Sequence, residues 1–232
     1  SRKMESPAVA QLRAMAGETD LLSGRVVSIP ELPLYIKNME KGDYSILHWP
    51  AFAPDSSMIF NQTWNKDVEI GRWLRTTDFR IALSSAIDRD AINQTQYLGL
   101  GLHSNNMVPE GTVYHPGPEY TRLNNVLDRD RANKILDDLG LIDTDGDGIR
   151  NRVGDLDGNK GNLELFSPVG INFIPHALLI QDDWAKVGIK LEIKQDPEYH
   201  RKIVNNEEYI VIASGHHGGA DPMNPWYGEM KY

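Results

Sequence analysis

The sequence predicts an α/β fold, and three observations carry that prediction. Segments of helical period alternate along the chain with short strand-like runs, the pattern of a sheet covered by helices. Phe79, Ala82, Leu83, Ala86 and Ile87 recur at the spacing of one buried helix face. Tyr209 to Ala213 is continuously apolar, as expected of a central strand buried on both faces.

Taken in order, Ser6-Pro7 reads as a helix start, with Ser as N-cap and Pro in the first turn. Val9, Leu12 and Met15 continue one face and Gly17 closes it. Val26 to Ile29 reads as a short strand, Pro30 to Lys41 as a second helix, and Tyr44 to Trp49 and Ser57 to Thr63 as strands. Asp78 to Leu98 is the clearest helical stretch, with Asp78 as its cap and a restart at Asp88 and Asp90. Gly99 to Tyr120, rich in Gly and Pro, is a long loop. Asp128 to Leu139 is helical, with Gly140 in the position of a C-terminal cap. An Asp/Gly-rich stretch leads to a strand at Leu163 to Phe166 and a helix over Asn172 to Val187. Ile189, Leu191 and Ile193 alternate with Lys190, Glu192 and Lys194 as in a half-buried strand, and Pro197 to Asn205 is helical.

Composition removes several function classes. The 232 residues carry 24 basic and 33 acidic side chains, a net charge of −9, with no basic stripe, so nucleic acid is not the expected partner. The absence of cysteine excludes a disulfide scaffold, thiol catalysis and Cys-based zinc sites. No apolar run approaches the length that crosses a bilayer.

Asp143, Asp145 and Asp147, followed by Gly148, open like a calcium loop whose alternate side chains converge on a hard cation. The twelfth position, where a bidentate Glu belongs, is Gly154, and Asp155, Asp157 and Asn159 repeat a weaker version. The preferred reading is a pair of solvated Asp-Gly turns and no cofactor, with calcium at Asp143, Asp145 and Asp147 as the alternative.

His216 and His217 follow the apolar Tyr209–Ala213 run, where α/β sheets place ligands, and read as polar contacts in a cleft. Neighbouring side chains on extended backbone point apart, which argues against a shared metal ion. Trp64 and Trp226 lie in loop-like sequence beside Asn61 and Asn224, an aromatic-plus-amide setting that suits a sugar or a peptide. Trp73 and Trp184 read as core. No nucleophile elbow, zinc-protease helix, phosphate loop or dinucleotide fingerprint is present, so the chain reads as no enzyme.

In order, these segments resemble the extracytoplasmic solute-binding proteins of ABC importers, in the oligopeptide/dipeptide-binding family, family 5. The run Phe79-Arg80-Ile81-Ala82-Leu83-Ser84-Ser85-Ala86-Ile87-Asp88-Arg89-Asp90-Ala91-Ile92 is similar to the family signature (V/F)R-x-A-(L/I)-x-x-A-I-D-R-x-x-I at every fixed position. Gly17-Glu18-Thr19-Asp20, Phe60-Asn61, the Asp143–Arg150 stretch, Val187–Leu191 and Asp221-Pro222 resemble further family motifs.

The resemblance implies a periplasmic-binding-protein-like lobe of type II, a mixed sheet flanked by helices. Residues 1–60 would be the end of a first lobe and the crossover, and 61–232 most of the second, truncated at its C-terminal end. It implies a monomeric receptor in the periplasm or lipid-anchored at the cell surface, which closes on a peptide or other small solute and presents it to a membrane permease. The expected ligand contacts are Phe60, Asn61, Trp64, His216, His217, Asp221, Asn224 and Trp226. Peptide-binding members commonly carry an acid shortly before the Asp-Pro, to pair with the peptide's amino group, whereas His217 to Ala220 has none. An oligosaccharide ligand is therefore the alternative. Two further alternatives are a calcium-bound glycan hydrolase and a calcium-stiffened adhesion module.

Overall fold

The structure is a computed structural model and describes residues 6–22, 29–47, 56–103, 115, 117–208 and 210–213. The chain divides into two compact units, Ser1–Pro50 with Asn93–Gly101, and Ala51–Ile92 with Leu102–Tyr232.

The first unit is built on helices α1 (Pro7–Met15) and α2 (Leu32–Gly42). Ser6 Oγ accepts the Val9 N–H at 3.3 Å, as its N-cap position predicts. At the other end Gly17 takes φ +75°, with its N–H on the Ala14 carbonyl and the Glu18 N–H on that of Arg13, a Schellman cap. A Cβ at Gly17 would sit 2.3 Å from the Gly42 carbonyl oxygen, so the helix ends meet only because both residues are glycine. Ile29 begins a 3-10 turn, Ile29–Glu31, that leads into α2; the rest of the strand expected at Val26–Ile29 lies outside the described residues. Tyr44 to Leu47 forms no ladder, and the end of that expected strand, Trp49 included, also lies outside the described residues.

The second unit holds the sheet. Its strands are β1 (Ser57–Phe60), β2 (Glu164–Val169), β3 (Lys190–Gln195) and β4 (Ile210–Ala213), in the spatial order β1-β4-β2-β3. β4 runs parallel to β2, and β2 to β3, while β1 is antiparallel to β4, pairing Phe60 with Ile210 and Ser57 with Ala213. The expected mixed sheet is found, and so is the central position of Ile210–Ala213; Tyr209, the first residue of that apolar run, lies outside the described residues. β1 stops at Phe60 rather than Thr63 because Asn61 Oδ1 captures the Thr63 N–H (3.1 Å) and hydroxyl (2.7 Å), turning the chain out of the ladder.

Helices α3 (Val68–Arg75), α4 (Thr77–Ala86), α5 (Arg89–Tyr97), α6 (Pro118–Thr121), α7 (Arg129–Asp138), α8 (Ile174–Ala185) and α9 (Tyr199–Val204) complete the described elements. The Asp78–Leu98 stretch is two helices, broken at Ile87, which is extended. Thr76, not Asp78, precedes α4, and Asp88 restarts the chain by accepting the Ala91 N–H at 2.9 Å. Phe79, Leu83, Leu136, Leu165 and Trp184 are buried in one core between α4, α7, α8 and the sheet. Trp184 Nε1 donates to the Leu83 carbonyl at 3.0 Å, which satisfies its polar edge inside that core.

Candidate functional site

β2, β3 and β4 are parallel, so their carboxyl ends share one edge, the position where open α/β sheets take ligands. Val169 leads through Gly170 into a 3-10 turn, Ile171–Phe173, and then α8. Asp196 closes β3 by donating its N–H to the Val169 carbonyl at 2.9 Å. A bond from Lys202 holds the Asp196 carboxyl below the usual carboxylate range, and Tyr199 follows three residues on. Phe173 meets Tyr199 edge-on with ring centroids 6.5 Å apart, and His176 with centroids 6.1 Å apart. Gly170 makes this possible: a Cβ there would lie 2.6 Å from the Tyr199 ring. Its own φ is an ordinary −67°, so the requirement is for space and not for a left-handed backbone. Half-buried Phe173 and Tyr199 thus form an aromatic wall beside exposed Ile171 at the carboxyl edge, with buried His176 packed against Phe173. Sequence reasoning missed these three. The only signal was the Gly-Ile-Asn-Phe run just after a strand.

Of the expected ligand residues, Phe60, Asn61 and Trp64 are among the described residues. Asn61 is buried at the opposite edge, where β4 begins; its Nδ2 donates to Asn206 Oδ1 and to the Glu208 carbonyl (3.1 Å). Phe60 packs against the core. Trp64 is 7% exposed and belongs to the core, with Lys66 Nζ 4.9 Å from its ring centroid, so it packs and does not present a free face. The loop-like local sequence had suggested an open platform; tertiary packing overrides it. His216, His217, Asp221, Asn224 and Trp226 lie outside the described residues. The chain leaves β4 toward them at Ala213, which pairs with Ser57 and not with the Asn61 end. Antiparallel pairing of β1 places Phe60 at the first residue of β4, Ile210, and Ser57 at the last, Ala213.

The acidic loop is the other candidate. The carboxylates of Asp143, Asp145 and Asp147 come within 4.8 Å of one another, a donor set suited to a hard cation. Each is exposed and already engaged. Asp143 accepts the N–H groups of Gly146 (2.7 Å) and Gly148 (2.9 Å), and these bonds hold its carboxyl below the usual range. Asp147 accepts from the Ile149 N–H (2.8 Å) and Asn162 Nδ2 (2.6 Å). Gly154, in the twelfth position, gives its N–H to Glu69 Oε2 at 3.0 Å. The weaker repeat is taken up by arginines. Arg72 binds both oxygens of Asp155 (2.8 and 2.6 Å) and keeps that carboxyl low, and Arg152 binds Asp157 (2.8 Å).

What the loop delivers is Arg150. Its buried guanidinium donates to the Val187 carbonyl (2.8 Å) and the Leu141 carbonyl, to Asp137 (2.6 Å) and to Asn133 (2.9 Å). A cation therefore sits on the carbonyl ends of both α7 and α8, where helix dipoles favour it. Nearby, Glu69 is 0% exposed and receives the Val153 N–H (2.8 Å) and Trp73 Nε1 (3.1 Å).

Comparison with known proteins agrees with this architecture. Residues 2–231 match the profile of the bacterial extracellular solute-binding proteins, family 5, middle region. The dipeptide-binding protein of Escherichia coli K12 is 28% identical over 156 residues, which is 62% of this chain and 25% of that protein. Among solved structures, the oligopeptide-binding protein OppA superposes with a TM-score of 0.74 at 23% identity, covering 96% of this chain and 35% of that one. The periplasmic binding protein MelB of Agrobacterium fabrum C58, in complex with stachyose, gives 0.66 at 19% identity, covering 91% and 33%. These neighbours are periplasmic binding proteins, so the α/β lobe expected from the sequence is the fold found. The chain spans a quarter to about a third of the length of these relatives.

Proposed function

Because the chain belongs to the bacterial extracellular solute-binding proteins of family 5, we propose that it forms part of the solute-capturing receptor of an ABC importer. It holds its solute without breaking bonds, and the complete receptor hands that solute to a membrane permease. The receptor works outside the cytoplasm as a monomer, in the periplasm or held at the cell surface by a lipid. Among the described residues no helix is long and apolar enough to cross a membrane.

The observation that carries this reading is the edge where β2, β3 and β4 end together, lined by half-buried Phe173 and Tyr199 with buried His176 against Phe173. Such a wall supplies flat apolar area with a few polar groups, the usual make-up of a small-molecule site. The chain leaves β4 at this same edge, so His216, His217, Asp221, Asn224 and Trp226 remain the proposed partners of the wall. Phe60 and Asn61, expected from the sequence as ligand contacts, are here proposed to shape the lobe instead, on their packing against the core and the bonds to Asn206 and Glu208. A peptide is the first solute proposed, on the dipeptide- and oligopeptide-binding relatives. An oligosaccharide is the second, on the stachyose complex and the lack of an acid between His217 and Ala220.

Titration calorimetry on the full-length protein, with a tryptic peptide mixture and with stachyose, tests the reading. Saturable binding of one class is expected. No binding of either, alongside turnover of some substrate, would overturn it.

A further inference from the structure

Three Asp-Gly bonds lie among the described residues, Asp145-Gly146, Asp147-Gly148 and Asp157-Gly158, and all six residues are exposed. At such a bond the glycine nitrogen is one ring closure away from the aspartate's own Cγ, and no side chain on the glycine hinders attack. A Cβ added at Gly146, Gly148 or Gly158 meets nothing within 4 Å, so each site has room for the ring. The carboxyl groups separate the three. Asp157 is held by Arg152 Nη2 (2.8 Å) and the Asn159 N–H (2.9 Å). Asp147 is held by the Ile149 N–H (2.8 Å) and Asn162 Nδ2 (2.6 Å). Asp145 accepts one N–H, that of Asp147, at a long 3.4 Å. Its carboxyl can turn onto the next nitrogen with little to break, and the Gly146 N–H already points at a proton acceptor, Asp143 Oδ1, 2.7 Å away. The other two sites lack that combination.

We propose that Asp145-Gly146 is a site of self-modification, at which the chain isomerises to isoaspartate with no enzyme, ion or ligand but water. The Gly146 nitrogen bonds to Cγ of the protonated Asp145 carboxyl, and its proton passes to Asp143 Oδ1. The Cγ–OH bond breaks, and the hydroxyl leaves as water with the proton that Asp143 returns. The product is a succinimide ring. Solvent water then adds to the ring carbon that was the Asp145 backbone carbonyl, and the bond from that carbon to the Gly146 nitrogen breaks. The chain now runs through Cβ and Cγ, and the old carbonyl carbon becomes a free carboxyl. One water has left and one has entered, so the mass is unchanged.

The product matters because both ends of this turn are fixed. The Asn151 N–H holds the Ile142 carbonyl (2.9 Å) and Asn151 Oδ1 takes the Thr144 N–H (2.7 Å). Arg150 is locked onto the Val187 carbonyl (2.8 Å) and Asp137 (2.6 Å). An extra backbone methylene between these points, about 1.5 Å of added chain, breaks the Asp143 bonds to Gly146 and Gly148 and loosens Arg150.

The experiment ages the full-length protein for weeks at physiological temperature and neutral pH, as wild type, Asp145→Glu and Asp145→Asn. Peptide mapping with electron-transfer fragmentation, which tells the two linkages apart, reads isoaspartate at each Asp-Gly bond. In the wild type it is expected at Asp145 about fivefold or more ahead of Asp147 and Asp157, whose carboxyl groups must first break two bonds each. Asp145→Glu, whose side chain would have to close a larger ring, is expected to form none at that position. Asp145→Asn, whose amide carries no negative charge to repel the attack, is expected to form it faster than the wild type. The aged wild type is expected to melt at a lower temperature than the fresh protein, and aged Asp145→Glu at its fresh value. No isoaspartate at Asp145, or no more there than at Asp147 and Asp157, would overturn the proposal. So would an aged wild type rich in isoaspartate at Asp145 that keeps its melting temperature, because the turn would then absorb the methylene without moving Arg150.

Discussion

Asp183 Oδ2 accepts the backbone N–H of Asp88 at 2.8 Å, which ties the last turn of α8 to the break between α4 and α5. The same carboxylate takes Arg129 (2.8 Å) and Lys186 (2.9 Å) on its other oxygen. One buried acid thus fixes where the family signature turns from its first helix into its second.

Asp183→Ala should therefore destabilise the protein by about 2–4 kcal/mol, because it strands a buried N–H and a half-buried arginine together. Burial alone would raise the Asp183 pKa, but the Asp88 N–H, Lys186 and Arg129 outweigh it and hold the group below its ordinary value. Its stabilising contribution is then complete above the unfolded carboxylate value of about 4 and is lost as pH falls through the lower folded value. Thermal melts from pH 7 down to pH 2 should show the wild type losing stability faster than Asp183→Asn below about pH 4. Parallel curves would show that the acid carries no such weight.

Arg150→Met should cost about 3 kcal/mol or more in urea denaturation, since four acceptors lose a charged donor at once. Arg150→Lys should recover little, because an ammonium cannot reach two helix ends and two side chains together. Full rescue by lysine would reduce the role to charge alone.

Gly170→Ala should push the Tyr199 ring aside and weaken solute binding by the full-length protein. Gly170→Ala with Tyr199→Ala should show a smaller loss than the two single changes summed, the coupling expected of groups in contact. Additive losses would separate the glycine from the aromatic wall.

Calcium should leave stability nearly untouched. Asp143 already holds two backbone N–H groups and Asp155 an arginine, so little donor capacity is left to a cation. Millimolar calcium and excess EDTA should give the same melting temperature. A rise of several degrees with calcium would show a bound ion contributing mass-action stabilisation.

Local pattern revealed the elements well and their partners poorly. The Phe79–Ile87 stripe, the Ile189–Ile193 alternation and the Gly140 cap all appear where their spacing places them, because each follows from a period or a backbone angle. Helix α7 ends at Asp138, with the Gly140 N–H on the Asp137 carbonyl and that of Leu141 on Leu136. Asp183 and Glu69 left no sign, since their partners lie 95 and 84 residues away and no short window joins them. The same holds for the site. Placing Phe60 and Asn61 at the start of β4 and not at its end requires the direction of β1, and strand direction is written in long-range pairing, not in a four-residue run. Trp64 sits in loop-like sequence and yet packs into the core, because a polar neighbourhood in sequence says little about the neighbourhood in space.

Arg150 has one consequence for how such a chain can change. Because one guanidinium spans the ends of α7 and α8, the arch from Asp143 to Ile149 has a fixed span. Adding a residue just before Arg150 would swing the rivet out of its socket, whereas lengthening the excursion around Gly158, where an added Cβ meets nothing within 4 Å, would only enlarge a bulge in solvent. Variation in loop length should concentrate at the second site and spare the first.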